Sequence, residues 1–173
     1  ASPLAAIAQD DSPTAPQATK HAVPSQADQQ KLMKTLEEAY ELGKQRTDDQ
    51  KATLIRELLK TADESNDRPT ERFVLLRTAM ELAADIGHGE MTLHLVDKIA
   101  ADFAIDPLTT QGKMLTKLAE KANTPRRIAS FLEAANPYID KASAQGRFDY
   151  ALSIASLAYR TSQSPQGQKF RKQ

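Results

Sequence analysis

Among its 173 residues the chain has no cysteine and no tryptophan, and only six glycines. Without thiols it can form no disulfide, no thiolate metal site and no cysteine nucleophile. That absence fits any compartment and selects none. The few glycines and the scarcity of β-branched runs argue against a sheet. No apolar run approaches the roughly 18 to 20 residues that a membrane span requires. There is no Gly-rich phosphate loop, no G-x-S-x-G and no H-E-x-x-H motif. Catalysis and a bound cofactor are therefore not expected.

Net charge is also lacking, but the charges are unevenly distributed. Residues 63–106 carry ten acidic against four basic side chains, and residues 107–173 carry four acidic against eleven basic. An acidic middle followed by a basic end is a pattern for polar partner surfaces. Solvated helix faces that differ in sign are the simpler account of it.

What remains abundant is Ala, Leu, Lys, Glu and Gln, all strong helix formers. The stretch DRPTERFVLLRTAMELAADIGHGEMTLHLVDKIAADFAIDP, residues 67–107, organises the rest. Pro69 suits a first helical turn, where its missing N–H costs nothing. Phe73, Leu76, Ala79 or Met80, Ala83 and Ile86 follow at helical spacing. Gly87 and Gly89 are read as φ > 0 residues that reverse the chain. Met91, Leu95, Val96, Ile99 and Phe103 form a second stripe, closed by Asp106-Pro107. This is a helical hairpin.

Similar patterns flank it. Residues 1–25 have no apolar stripe and are read as a disordered arm or linker. Within the arm, Ala6-Ile7-Ala8 has the small-x-small pattern of a signal-peptidase site, and the first residue is not methionine. Export, to a periplasm or the exterior, is the expectation, with the cytoplasm as the alternative. Ser25 with Asp28 opens a helix bearing Leu32, Met33, Leu36, Ala39 and Tyr40. Thr47 with Gln50 forms a capping box ahead of Leu54, Ile55, Leu58, Leu59 and Ala62. Asp106-Pro107 starts a helix with Leu108, Leu115, Leu118, Ala119 and Ala122 facing inward. Thr124-Pro125 starts another with Ile128, Phe131, Leu132, Ala135, Ile139 and Ala142, in which Pro137 is expected to cause a kink or a split. After Gly146, residues Phe148, Ala151, Leu152, Ala155 and Ala158 read as a seventh inward stripe. Ser164-Pro165 opens a further helix or basic tail over 164–173, so the natural chain is expected to continue.

The fold class expected is all-α: a right-handed array of antiparallel hairpins, about seven helices, over residues 26–163. Hairpins beginning near Gln26, Pro69, Pro107 and Arg147 recur at steps of about 43, 38 and 40 residues, within the range of α-helical repeats. Gly146-x-Phe148-x-x-Ala151, followed by Ala158, resembles the turn and second helix of a tetratricopeptide repeat. Leu82-Ala83, Gly89 and Asp106-Pro107 look like a looser copy. The departures are Met91 for the aromatic, His94 for the alanine, no aromatic opening either first helix, and a spacing above the family's roughly 34 residues. More broadly, RPTERFVLLRTAMELAADIG resembles helical regions that precede other modules in large exported bacterial proteins, over residues 26–173. The resemblance implies TPR-like stacking and a scaffolding role, and names no ligand.

Candidate sites follow from charge. Glu90, His94 and Asp97 fall at i, i+4 and i+7 on one helix, a spacing that lets three nitrogen and oxygen ligands face one metal. With no ligand elsewhere, exposed charged positions explain the triad, and no metal is expected. Lys113, Lys117 and Lys121 recur every four residues and, with Arg126 and Arg127, could track phosphates. The near-neutral pI of about 7.1 and the 5% aromatic content disfavour nucleic acid. Successive first helices of such an array would present Glu71, Arg72, Glu81 and Asp85, then Lys113, Lys117 and Lys121 with Arg126 and Arg127, to a protein or peptide partner. The leading expectation is a non-catalytic scaffold or interaction region of a larger protein. A helical domain binding a peptide or carbohydrate, and a weak polyanion binder using the basic half, are the alternatives.

Overall fold

The computed structural model describes residues 20–170. The Ala6-Ile7-Ala8 triplet and the last three residues lie outside that range. Within it the protein is all-helical: α1 Gln26–Ala39, α2 Asp48–Glu64, α3 Pro69–Asp85, α4 Gly89–Asp102, α5 Pro107–Glu120, α6 Pro125–Ala144, α7 Phe148–Gln163 and a short α8 Pro165–Phe170. Among the described residues, no helix is long and apolar enough to cross a membrane.

The helix starts follow from side chains that satisfy the first free N–H groups. Ser25 accepts from the Asp28 N–H at 3.2 Å, and Thr124 from the Arg127 N–H at 3.3 Å. Thr47 and Gln50 form a reciprocal capping box. Asp106 accepts from the Leu108 N–H at 3.1 Å, one residue ahead of Pro107. Pro69, Pro107 and Pro125 each stand in a first turn.

α3 is the centre. Its buried residues include not only the expected Phe73, Leu76, Ala79, Met80 and Ala83, but also Val74, Leu75, Thr78 and Ala84. A helix apolar on all sides must be enclosed, and α1, α2, α4 and α5 all pack against α3. One core joins α1–α4 around Ile55, Leu58, Leu76, Val96 and Phe103. A second joins α5–α7 around Leu115, Phe131, Ala135 and Tyr138, and takes in Ala84 from the end of α3. Backbone packing runs only between helices one or two places apart in sequence, the pattern of a linear array.

Two of the turns share one device. Gly87 (φ 75°) follows α3, and Gly146 (φ 69°) follows α6. At the first, His88 N–H bonds Ala83 O at 2.9 Å and Gly87 N–H bonds Ala84 O at 3.0 Å. At the second, Arg147 N–H bonds Ala142 O at 2.8 Å and Gly146 N–H bonds Ser143 O at 3.0 Å. Both are Schellman closures, in which a left-handed residue lets two late carbonyls find donors. The next helix begins at once. At the end of α1 the left-handed position is held by Glu41 (φ 49°), a non-glycine residue. Arg46 supports that bend, donating to Tyr40 O at 2.6 Å and Glu41 O at 2.7 Å.

Five sequence expectations need correction. Gly89 does not take a positive φ; it opens α4, where an added Cβ would lie 2.5 Å from Ser130 O and 2.8 Å from Ala134 Cβ. Its role is close approach of α4 to α6. Pro137 does not split α6, which runs unbroken for 20 residues with Pro137 exposed on its outer side. α1 and α2 do not pack as a hairpin; α1 lies on α3 instead, because the eight residues 40–47 between them allow it to swing away. The arm is not free up to residue 25. His21 N–H donates to Asp102 O at 2.8 Å and its carbonyl accepts from Ala104 N–H at 2.9 Å, with its ring 5.7 Å from that of Phe103. Finally, α7 buries Ala151 and Ile154, whereas Phe148 and Leu152 face out.

Two substitutions test this account. Gly89→Ala is expected to cost about 1–3 kcal/mol, because its methyl meets backbone rather than a movable side chain. Glu41→Gly is expected to stabilise by about 1 kcal/mol through relief of the left-handed strain. The exposed Lys44–Glu41 pair it removes contributes little. Denaturant midpoints with both signs reversed would refute the turn assignments.

Candidate interaction surface

The charged residues expected to face a partner are distributed over separate places. Glu71 and Asp85 lie about 21 Å apart along α3, at 1.5 Å per residue. Glu71 pairs with Arg68, beside the buried Ser65 that caps α2. Arg72 is taken up inside the fold. It donates to Asp102 Oδ2 at 2.8 Å and Ala62 O at 2.6 Å, tying the ends of α2 and α4 to the start of α3. Glu81 accepts from Arg77, which also reaches Gln29 of α1 at 2.7 Å.

The structure does bring one opposite-sign pair of candidates together, Asp85 and Lys117 at 3.1 Å. Arg127 is likewise paired, with Asp48 at 2.9 Å, and its aliphatic stem lies against Gly87. Lys113, Lys121 and Arg126 remain exposed. The basic stripe is thus interrupted at its middle by an acidic neighbour from α3.

The Arg127–Asp48 pair crosses a cleft of about 800 Å³ between the starts of α2 and α6. The α3–α4 turn, Ile86 to His88, also lines it, with Asn123, Thr124, Ser130 and Glu133 on the α6 side. Its lining mixes Asp48, Asp49 and Glu133 with Arg126 and Arg127, so its field has no single sign. His88 is already engaged as the cap of α4, accepting from Met91 N–H at 3.4 Å. Asp97 of the helical triad turns to Gln111, 2.9 Å away, and to Lys141 at 3.7 Å. Among the described residues, no three His, Asp or Glu side chains gather where a metal could sit.

The perturbed carboxylates are stabilised in their charged form. The Lys98 ammonium, 2.8 Å from Asp63, holds that carboxyl below its ordinary value, aided by Arg72 and opposed by burial. The Thr109 hydroxyl does the same at Asp106, with the Leu108 and Thr109 N–H groups and the Arg147 charge assisting against burial. Burial pushes the Tyr138 phenol up, and its hydroxyl donates to Leu108 O at 3.2 Å. Among the described residues, every buried side-chain polar atom has a partner.

The feature that charge and motif reasoning missed is apolar. Phe148, Leu152 and Tyr159 are 68%, 69% and 66% exposed, and all three lie on α7. Ala151 and Ile154, at 6% and 3%, face the core from the other side. Residues 148, 152 and 159 with the half-buried Ala155 are spaced 4-3-4, which places them in one stripe along the helix. The sequence signal was present, since the apolar residues of α7 are too many for one face. A contiguous row of three large exposed apolar side chains is a candidate interaction surface, unlike apolar residues scattered singly.

No protein-family model, no curated protein and no solved structure matches the chain.

The Asp63–Lys98 contact gives a pH test of the α2–α4 tie. A carboxyl whose pKa is depressed on folding adds stability above its unfolded pKa, and that gain is lost as pH falls through the folded value. Lys98→Met should therefore lower the melting temperature at neutral pH. The gap from wild type should close as pH falls well below 3.8, the ordinary Asp value. A gap of constant size from pH 7 to acid would show that the pairing does not act through charge.

Proposed function

We propose that this chain is a non-catalytic helical-repeat scaffold, stacked in TPR-like fashion, that engages a protein partner through the outer face of α7. The observation that carries it is the exposed row Phe148, Leu152 and Tyr159. Aromatic and aliphatic anchors of this kind are what buried interface centres are made of. A periplasmic or secreted setting within a larger protein accords with the same reading.

Two other readings have less behind them. A peptide or carbohydrate ligand would use the α2–α6 cleft, whose size suits one, but the Arg127–Asp48 ion pair already spans it. A polyanion would meet Lys113, Lys121 and Arg126 with Lys117 and Arg127 already engaged.

A photo-reactive amino acid at position 152 tests the proposal in extract of the source cells, with the exposed Lys60 of α2 as the control position. Protein adducts are expected at 152 and not at 60. Equal labelling at both, or none at 152, would refute α7 as the docking face.

A further inference from the structure

We propose that the outer face of α7 pairs with α7 of a second copy of this chain, antiparallel about a two-fold axis; this rests on α7 being the interaction face. The exposed surface of α7 carries two parallel stripes. One is Phe148, Leu152, Ala155 and Tyr159; the other is Asp149, Ser153, Ser156 and Arg160. Both have the 4-3-4 spacing with which one helix keeps a seam toward another.

The order of residues within the stripes selects the partner. Set antiparallel on itself, the apolar stripe places Phe148 opposite Tyr159 and Leu152 opposite Ala155. Each contact occurs twice, as a two-fold interface requires. The pairing is aromatic on aromatic at the ends and large on small near the axis, so the helices can approach. About this axis Asp149 falls within two residues, about 3 Å along the helix, of Arg160 of the second copy, and Ser153 likewise of Ser156. The acid at the first turn and the base at the last thereby meet their opposites. A parallel arrangement would instead stack Asp149 on Asp149 and Arg160 on Arg160, like charge on like. α8, the next element, packs on α6 and α7 yet leaves this face open. Three large side chains per copy cover on the order of 800 Å² in total when paired, below the size of a standard stable interface. The dimer is therefore weak and concentration-dependent.

Sedimentation velocity on the full 173-residue chain, from low micromolar to near-millimolar concentration, tests this. The wild type should shift from monomer to dimer across that range. Leu152→Glu should remain monomeric throughout with unchanged helical circular dichroism, since Leu152 supports nothing inside the fold. Asp149→Arg alone and Arg160→Asp alone should each weaken dimerisation several-fold, and the double swap should restore it. An equimolar mixture of the two single variants should form the mixed dimer in preference to either self-pair, which loss of helix stability would not produce. A monomer at the highest concentration overturns the proposal, as does a dimer indifferent to Leu152→Glu or single swaps that the double does not rescue. A monomer that still gives position-152 adducts with a different protein overturns the dimer alone. A monomer without adducts overturns the docking face with it.

Discussion

The constraint on which the rest of this structure depends is that α3 has no polar side wide enough to face water. A helix with one apolar stripe can lie on a surface; α3 buries residues in every direction and must be surrounded. α2 and α4 cover it as its sequence neighbours, and α1 and α5 close the remaining sides from two places away. Buried leucines of this kind each contribute about 2–5 kcal/mol against truncation, which exceeds the net worth of any exposed ion pair here. Hydrophobic enclosure decides the architecture, and charges adjust it. Arg72 shows the division of labour: it sits at the rim of α3 and fastens the ends of α2 and α4, which burial has already brought together.

Propagation beyond α3 depends on turns short enough to leave successive helices no choice of partner. Gly87 and Gly146 reverse the chain within a residue of the next helix, so α4 must fold back on α3 and α7 on α6. Where the connection is longer, as over residues 40–47, the neighbour is lost and α1 rests on α3 rather than α2. Tight turns and backbone contacts limited to one or two places together yield an array in which each unit relies on its neighbours. Where a turn takes a left-handed residue, glycine fills it at 87 and 146, and Glu41 fills it after α1.

Helix number, starts and turns were legible because capping and helical periodicity are local, and Ser25, Thr47, Asp106 and Thr124 act within their own first turns. Three kinds of information were not. Close approach is invisible in one sequence: Gly89 reads as a turn glycine until Ser130 is seen beside it. Salt-bridge choice is nonlocal, so the regular spacing of Lys113, Lys117 and Lys121 could not disclose that Asp85 stands opposite only the second. Facing fails where a helix has apolar residues on two sides. A single-stripe reading of α7 merges residues 148 and 152 with 151, and the structure separates them.

That separation carries the functional argument, because it distinguishes a helix enclosed by its neighbours from one whose outer face they leave open. An interior helix such as α3 has an apolar circumference and four covering neighbours. α7 has an apolar face in excess of its neighbours, since α5, α6 and α8 cover Ala151 and Ile154 and none covers Phe148, Leu152 and Tyr159. An uncovered helix face is normally polar. α7 instead sets an apolar row beside a polar one, in a register that repeats under a two-fold axis. Burial of the row on a partner removes the exposed apolar area, and the flanking Asp149 and Arg160 give the partner a direction. The same hydrophobic demand that encloses α3 is left open at α7, where none of the described residues covers Phe148, Leu152 and Tyr159.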